Sequence, residues 1–73
     1  MDFGENLKRL REQRGLSQQE LGSMANLSQP AIFNFECGKI NPKPKTIGDL
    51  ATALNVTTDR LIFGEAEYLS KKE

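Results

Sequence analysis

The sequence predicts an all-α domain of five short helices. Three observations carry that prediction. Apolar residues recur three and four positions apart through most of the chain, the spacing of one helix face. No stretch alternates apolar and polar residues with β-branched side chains, as a half-buried strand would. Capping residues open these periodic segments, and Gly or Asn closes them.

The first helix is expected from Asp2 or Phe3 to Gln13. Phe3, Leu7 and Leu10 share its inner face, while Lys8, Arg9 and Glu12 face water. Gly15 ends it in the left-handed conformation. The second runs from Ser17 to about Ala25, because Ser17 and Glu20 have capping-box spacing. The third starts at Ser28, carries Pro30 in its first turn, and stops near Cys37 and Gly38. Residues 40–45, INPKPK, form an extended loop, since each Pro disfavours helix at itself and at the residue before it. The fourth helix runs from about Thr46 to Leu54, with Ile47, Leu50, Ala51 and Leu54 inward and Asn55 as a left-handed stop. The fifth is short, Thr58 to about Ile62, capped by Thr57 or Thr58, with Leu61 and Ile62 in the core. Gly64 closes a domain of residues 1–64, and residues 65–73 are a polar tail.

The second and third helices are joined by a tight turn, and Leu21, Met24, Ala25, Leu27, Ile32 and Phe35 form one buried set. That is the pattern of a helix-turn-helix and points to sequence-specific binding of double-stranded DNA. Stepping about 100° per residue from Ser28 puts Ala31, Ile32, Phe35 and Glu36 on the inner half of the third helix. Gln29, Pro30, Phe33, Asn34 and Cys37 fall on the outer half, which carries amides and no acid.

Gln and Asn can each bond adenine N6 and N7 together in the major groove, so Gln29 and Asn34 are the leading base readers. Pro30 reads either as a shape element close to DNA or as preorganisation of the helix start. Phe33 can meet thymine methyl groups. It can equally contact a protein or fold over Gln29 and Pro30. Ser17 and Ser28 are caps first and phosphate contacts second. Gln18 opens the second helix, where backbone N–H groups and the dipole favour an anion. Cys37 is a small residue at a helix end, with no base or second thiol nearby in sequence to make it reactive.

Composition limits the alternatives. A chain of 73 residues holds one domain with one small core. No apolar run approaches the ~18–20 residues of a membrane span, and no membrane partner is expected. The first residues lack a secretion signal, and the composition fits a reducing cytoplasm. No His and one Cys leave no ordinary zinc site, and no cofactor is expected. Without paired carboxylates or a nucleotide loop, an enzyme is not expected.

Ten basic and ten acidic residues give zero net charge, unlike many strongly basic DNA-binding domains. Residues 39–45 nonetheless hold Lys39, Lys43 and Lys45 with no acid, directly after the third helix. Lys39, Asn41 and Lys43 are candidate phosphate contacts. Lys45 is a weaker one, because it stands where the fourth helix starts.

The segments RxxRGLSQQEL, NLSQPAIFNFECGK and LATALNVTTDRL, with a Pro-containing loop between the last two, resemble the Cro and phage-repressor class. These helix-turn-helix domains are also called lambda-repressor-like or XRE. The resemblance spans residues 3–64 and implies a five-helix bundle that binds operator DNA, usually as a homodimer. It implies a phosphate clamp at Gln18 and a partly buried ion pair between Arg11 and Glu36. One recognition helix reads few base pairs, so two-fold pairing is expected, weak in the absence of DNA. The expected contact is the end of the fifth helix: Phe63, with Arg60 and Tyr68. A transcriptional repressor is the leading function. The same fold also serves as an antitoxin or controller protein, or as a protein-interaction domain without DNA binding, which the zero net charge would suit.

Overall fold

Local chemistry at the helix ends sets most of the architecture. The computed structural model describes residues 2–71, with side chains described as far as Gly64. Its helices are α1 (Phe3–Gln13), α2 (Gln18–Ala25), α3 (Gln29–Glu36), α4 (Pro44–Leu54) and α5 (Thr58–Lys71), and no strand occurs among the described residues. The chain has the predicted all-α fold of five helices, with α2 and α3 joined by a tight turn.

Asp2 and Glu5 form a capping box on α1, as Ser17 and Glu20 do on α2. Ser28 accepts from the Ala31 N–H at the start of α3. Each cap satisfies a backbone donor that the helix itself leaves unpaired. The helix ends share one device. Gly15, Asn26, Gly38 and Asn55 all have positive φ. The N–H of each following residue, Leu16, Leu27, Lys39 and Val56, bonds back to the carbonyl of Arg11, Gly22, Asn34 and Ala51. This is the Schellman closure, which turns the chain sharply while satisfying the last carbonyls.

One boundary differs from the sequence expectation. Helix α4 starts at Pro44, two residues early, because Pro at the first helical position loses no needed donor. Helix α5 is broken at Gly64, whose φ 88° and ψ 174° are non-helical, so its first segment ends close to the expected stop near Ile62 and helix resumes beyond the kink to Lys71.

Helix α2 packs on α3 and α4, α1 packs on α3 and α5, and α4 packs on α5. The core joins Leu7 and Leu10 of α1, Leu21 and Ala25 of α2, and Ile32 and Phe35 of α3 to Leu50, Ala51, Leu54 and Leu61. Two residues expected inside are not there. Met24 is 55% exposed and Ile62 38% exposed. On α2 the buried residues are Leu21, Gly22 and Ala25, and Met24 lies at the edge of that row, left open by the described residues. Ile62 lies about 100° around the helix from buried Leu61.

Two glycines set close approaches. A Cβ on Gly22 would stand 2.6 Å from the Leu27 carbonyl oxygen, and one on Gly4 would stand 2.4 Å from that of Glu36. The first keeps the α2–α3 turn tight. The second lets α1 rest on the end of α3.

Polar ties complete the frame. Asn6 is fully buried and donates from Nδ2 to the Ile62 carbonyl at 3.2 Å. Arg14 donates from Nε to the Leu54 carbonyl at 2.7 Å and from Nη2 to that of Asn55 at 3.3 Å, bonding the end of α4. Arg11 makes a two-pronged bond to Glu36, Nε to Oε2 at 2.6 Å and Nη2 to Oε1 at 3.1 Å. Its Nη1 donates to the Leu16 carbonyl at 2.8 Å. The hydrogen bond to Glu36 raises the Arg11 pKa above the usual guanidinium value.

The Arg11 and Glu36 side chains are 11% and 5% exposed, so removing one strands the other. Glu36→Ala should cost about 3–5 kcal/mol. The Arg11→Ala, Glu36→Ala double variant should lose less than the sum of the single losses. Urea unfolding of the four proteins measures this, and additive losses would show that the charges are uncoupled.

Candidate nucleic-acid interface

Helix α3 presents its outer face to solvent because its inner face is consumed by the core. Ile32 is fully buried and Phe35 is 8% exposed. The opposite side holds Gln29, Pro30, Phe33 and Cys37, all exposed, with Asn34 half-buried. Ser28 and Pro30 fix the start of this helix. Glu36, the one acid in α3, turns inward to Arg11, so the exposed face of α3 carries no carboxylate.

Gln18 occupies the first position of α2 and reaches α3. Its Nε2 donates to Glu36 Oε1 at 3.0 Å, and its Oε1 accepts from Gln29 Nε2 at 2.7 Å. A continuous polar chain therefore runs Arg11, Glu36, Gln18, Gln29, from the half-buried joint of α1 and α3 to the exposed start of α3. The Gln18–Gln29 contact could not be read from periodicity, because it spans 11 residues and depends on the turn between two helices.

The remaining sequence candidates are distributed around this face. Ser17 and Ser28 are exposed, and each accepts a backbone N–H as a cap. Lys39, Asn41 and Lys43 are exposed in the segment between α3 and α4. Lys43 is the N-cap residue of α4 in extended conformation, without a side-chain cap bond. Lys45 belongs to α4 and pairs with Asp49 at 3.1 Å. A concavity of about 310 Å³ lies beside α3, lined by Lys8, Arg11, Gln18, Phe33, Glu36 and Cys37. Lys8, read from sequence only as a solvated residue of α1, thus lines the same concavity as Phe33. Only the packing of α1 on α3 reveals this.

The expected dimer contacts are less fully described. Phe63 is 42% exposed beside exposed Ile62, and Arg60 is half-buried. The Tyr68 side chain lies outside the described residues. No group of three or more His, Cys, Asp or Glu able to hold a metal occurs among the described residues. No helix there is long and apolar enough to cross a membrane.

A family model described as helix-turn-helix matches residues 7–61. A Bacillus subtilis (strain 168) protein named HTH-type transcriptional repressor RghR is 39% identical over 70 residues, 94% of this chain and 51% of that protein. The chain spans about half the length of several curated relatives it matches. Among solved structures, the P22 c2 repressor in complex with a synthetic operator matches with a TM-score of 0.83 and 28% identity, over 89% of this chain and 98% of that one. The restriction-modification controller protein C.AhdI from Aeromonas hydrophila matches with a TM-score of 0.80 and 35% identity, over 82% and 91% of the two chains. The family match covers most of the chain and coincides with the same five-helix frame, so the chain belongs to the helix-turn-helix family in its lambda-repressor-like form.

Proposed function

We propose that this chain is the operator-binding part of a transcriptional regulator, acting as a repressor in the cytoplasm. The observation that carries the reading is the outer face of α3. It exposes Gln29 and half-exposes Asn34, holds its one acid inward, and leads directly to Lys39 and Lys43. In the proposed complex α3 enters the major groove. Gln29 and Asn34 bond base edges, and Pro30 and Phe33 make apolar contact with thymine methyl groups or sugars. Gln18, Ser17 and Ser28 approach phosphates from helix N-termini, where backbone N–H groups favour anions. Lys39, Asn41 and Lys43 meet the backbone beyond the end of α3.

Two chains are expected on each operator, related by two-fold symmetry, because one α3 reads too few base pairs to single out a site. Exposed Ile62 and Phe63 give the contact its apolar centre, with half-buried Arg60 close by in sequence and Tyr68 as a further candidate from the sequence. A patch this small falls short of the ~1,200–2,000 Å² of a standard stable interface, so the dimer forms mainly on DNA. Similarity to C.AhdI favours a second version of the same reading, a controller protein that binds its site in the same way.

Three measurements test these roles. Lys39→Ala and Lys43→Ala should each weaken binding to all duplexes alike and make the log–log salt slope shallower by about one unit, as one released counterion requires. An unchanged slope in both removes the loop from the interface. Gln29→Ala and Asn34→Ala should each cost ~1–3 kcal/mol on a site selected from random duplexes and relax preference at one or two base pairs. Equal losses on selected and random DNA would show that neither reads bases. Footprinting should give two protected half-sites in an inverted repeat, about 34–36 Å apart, filled cooperatively. Phe63→Asp should abolish the cooperativity while leaving single half-site affinity intact. Protection of one half-site at saturation would overturn the dimer, and retained cooperativity would overturn this surface.

A further inference from the structure

The polar chain from Arg11 to Gln29 has a direction. A carboxylate accepts hydrogen bonds and donates none, and a guanidinium donates and accepts none. Glu36 takes two bonds from Arg11 and one from Gln18. Gln18 must therefore turn its NH2 group to Glu36, which leaves its oxygen facing Gln29. Gln29 must in turn give that oxygen an N–H, as the 2.7 Å contact records. What remains for a ligand at Gln29 is its amide oxygen and one N–H.

We infer that Glu36 is a positioning residue for base recognition: acting through Gln18, it fixes which way the Gln29 amide faces, and so selects adenine over guanine. Adenine offers the major groove one donor at N6 and one acceptor at N7, the complement of the oxygen and single N–H left on Gln29. Guanine offers two acceptors, O6 and N7, and needs two donors. The inference rests on the reading of Gln29 as a base contact.

Glu36→Gln inverts the logic while keeping the shape. Arg11 Nε, the shorter of its two bonds, holds the new amide oxygen at the Oε2 position, so the new NH2 takes the Oε1 position facing Gln18 and the longer Nη2 bond is lost. Gln18 must then present its oxygen to position 36 and its NH2 to Gln29. Gln29 accepts through its oxygen, and both of its N–H groups face outward, the guanine complement.

The test is binding to duplexes that differ only at the base pair whose preference Gln29→Ala erases. With Glu36→Gln, the adenine-over-guanine preference there should fall by about tenfold or reverse, the scale of one bidentate contact. A folded Glu36→Gln protein that binds more weakly but keeps the preference overturns the inference, since Glu36 would then only hold the helices. If that variant does not fold, Gln18→Met decides, because it cuts the chain and leaves the ion pair whole. The preference should drop several-fold, and an unchanged preference overturns the inference. A second readout needs no DNA. Nitrogen-resolved NMR of the free protein should show the Gln29 side-chain NH2 protected from exchange in the parent and released in Glu36→Gln. If Gln29→Ala erases no preference, base reading by Gln29 fails by itself. The NMR result then decides the direction of the chain: protection unchanged in Glu36→Gln overturns it.

Discussion

The Glu36 carboxylate is the constraint on which the helix-turn-helix depends. It sits at the end of α3 and is 5% exposed. Burying a charge there is costly unless every lone pair finds a donor. The donors come from two other elements, Arg11 of α1 and Gln18 of α2, so satisfying Glu36 fixes α3 against both. Arg11 extends the tie to the Leu16 carbonyl in the α1–α2 turn. The same bonds hold a negative charge away from the exposed face of α3, where a phosphate would repel it.

Around that joint the domain relies on precise ends more than on core size. A single small core leaves little stability to spare. The four Schellman closures and the side-chain caps at Asp2, Ser17, Ser28 and Thr57 remove unsatisfied backbone groups at the helix ends. Substituting a cap typically costs ~0.5–2 kcal/mol. The glycines at 4 and 22 then permit backbone contacts that any side chain would push apart. Short helices with satisfied ends and close crossings give α3 a fixed seat although its inner anchor is only Ile32 and Phe35.

The helices were legible in the sequence because their punctuation is local. Ser17 and Glu20, Ser28, Gly15, Gly38 and Asn55 act within one turn of where they stand. Asn26 uses the same left-handed stop, yet it is hidden inside a run that reads only as the turn. Burial was less legible. Periodicity assigns Met24 and Ile62 to an inner side, but only the neighbouring helices decide how far that side is covered, and both edges stay open. The candidate site divides in the same way. The outward face of α3 followed from angular position. The Gln18–Gln29 bond, the concavity that Lys8 and Phe33 both line, and the reach of Arg14 to the end of α4 depend on how separate helices cross. No spacing along the chain encodes those crossings.

Zero net charge looks unfavourable for a protein that meets a polyanion, until the acids are followed to their partners. Glu5 and Glu20 each accept the backbone N–H of a cap residue at a helix start. Asp49 pairs with Lys45, and Glu36 with Arg11. Each of these carboxylates meets a positive group of the protein itself, whether a helix N-terminus or a cation. Lys39 and Lys43 form no ion pair among the described residues and stand just beyond α3, while Lys8 stands on its flank. Screening confines exposed charge effects to about 8 Å at physiological salt. A phosphate lying along α3 therefore responds to these lysines more than to acids already engaged by a cation or a helix N-terminus. Local field, and not the sum over the chain, determines whether the face can bind DNA.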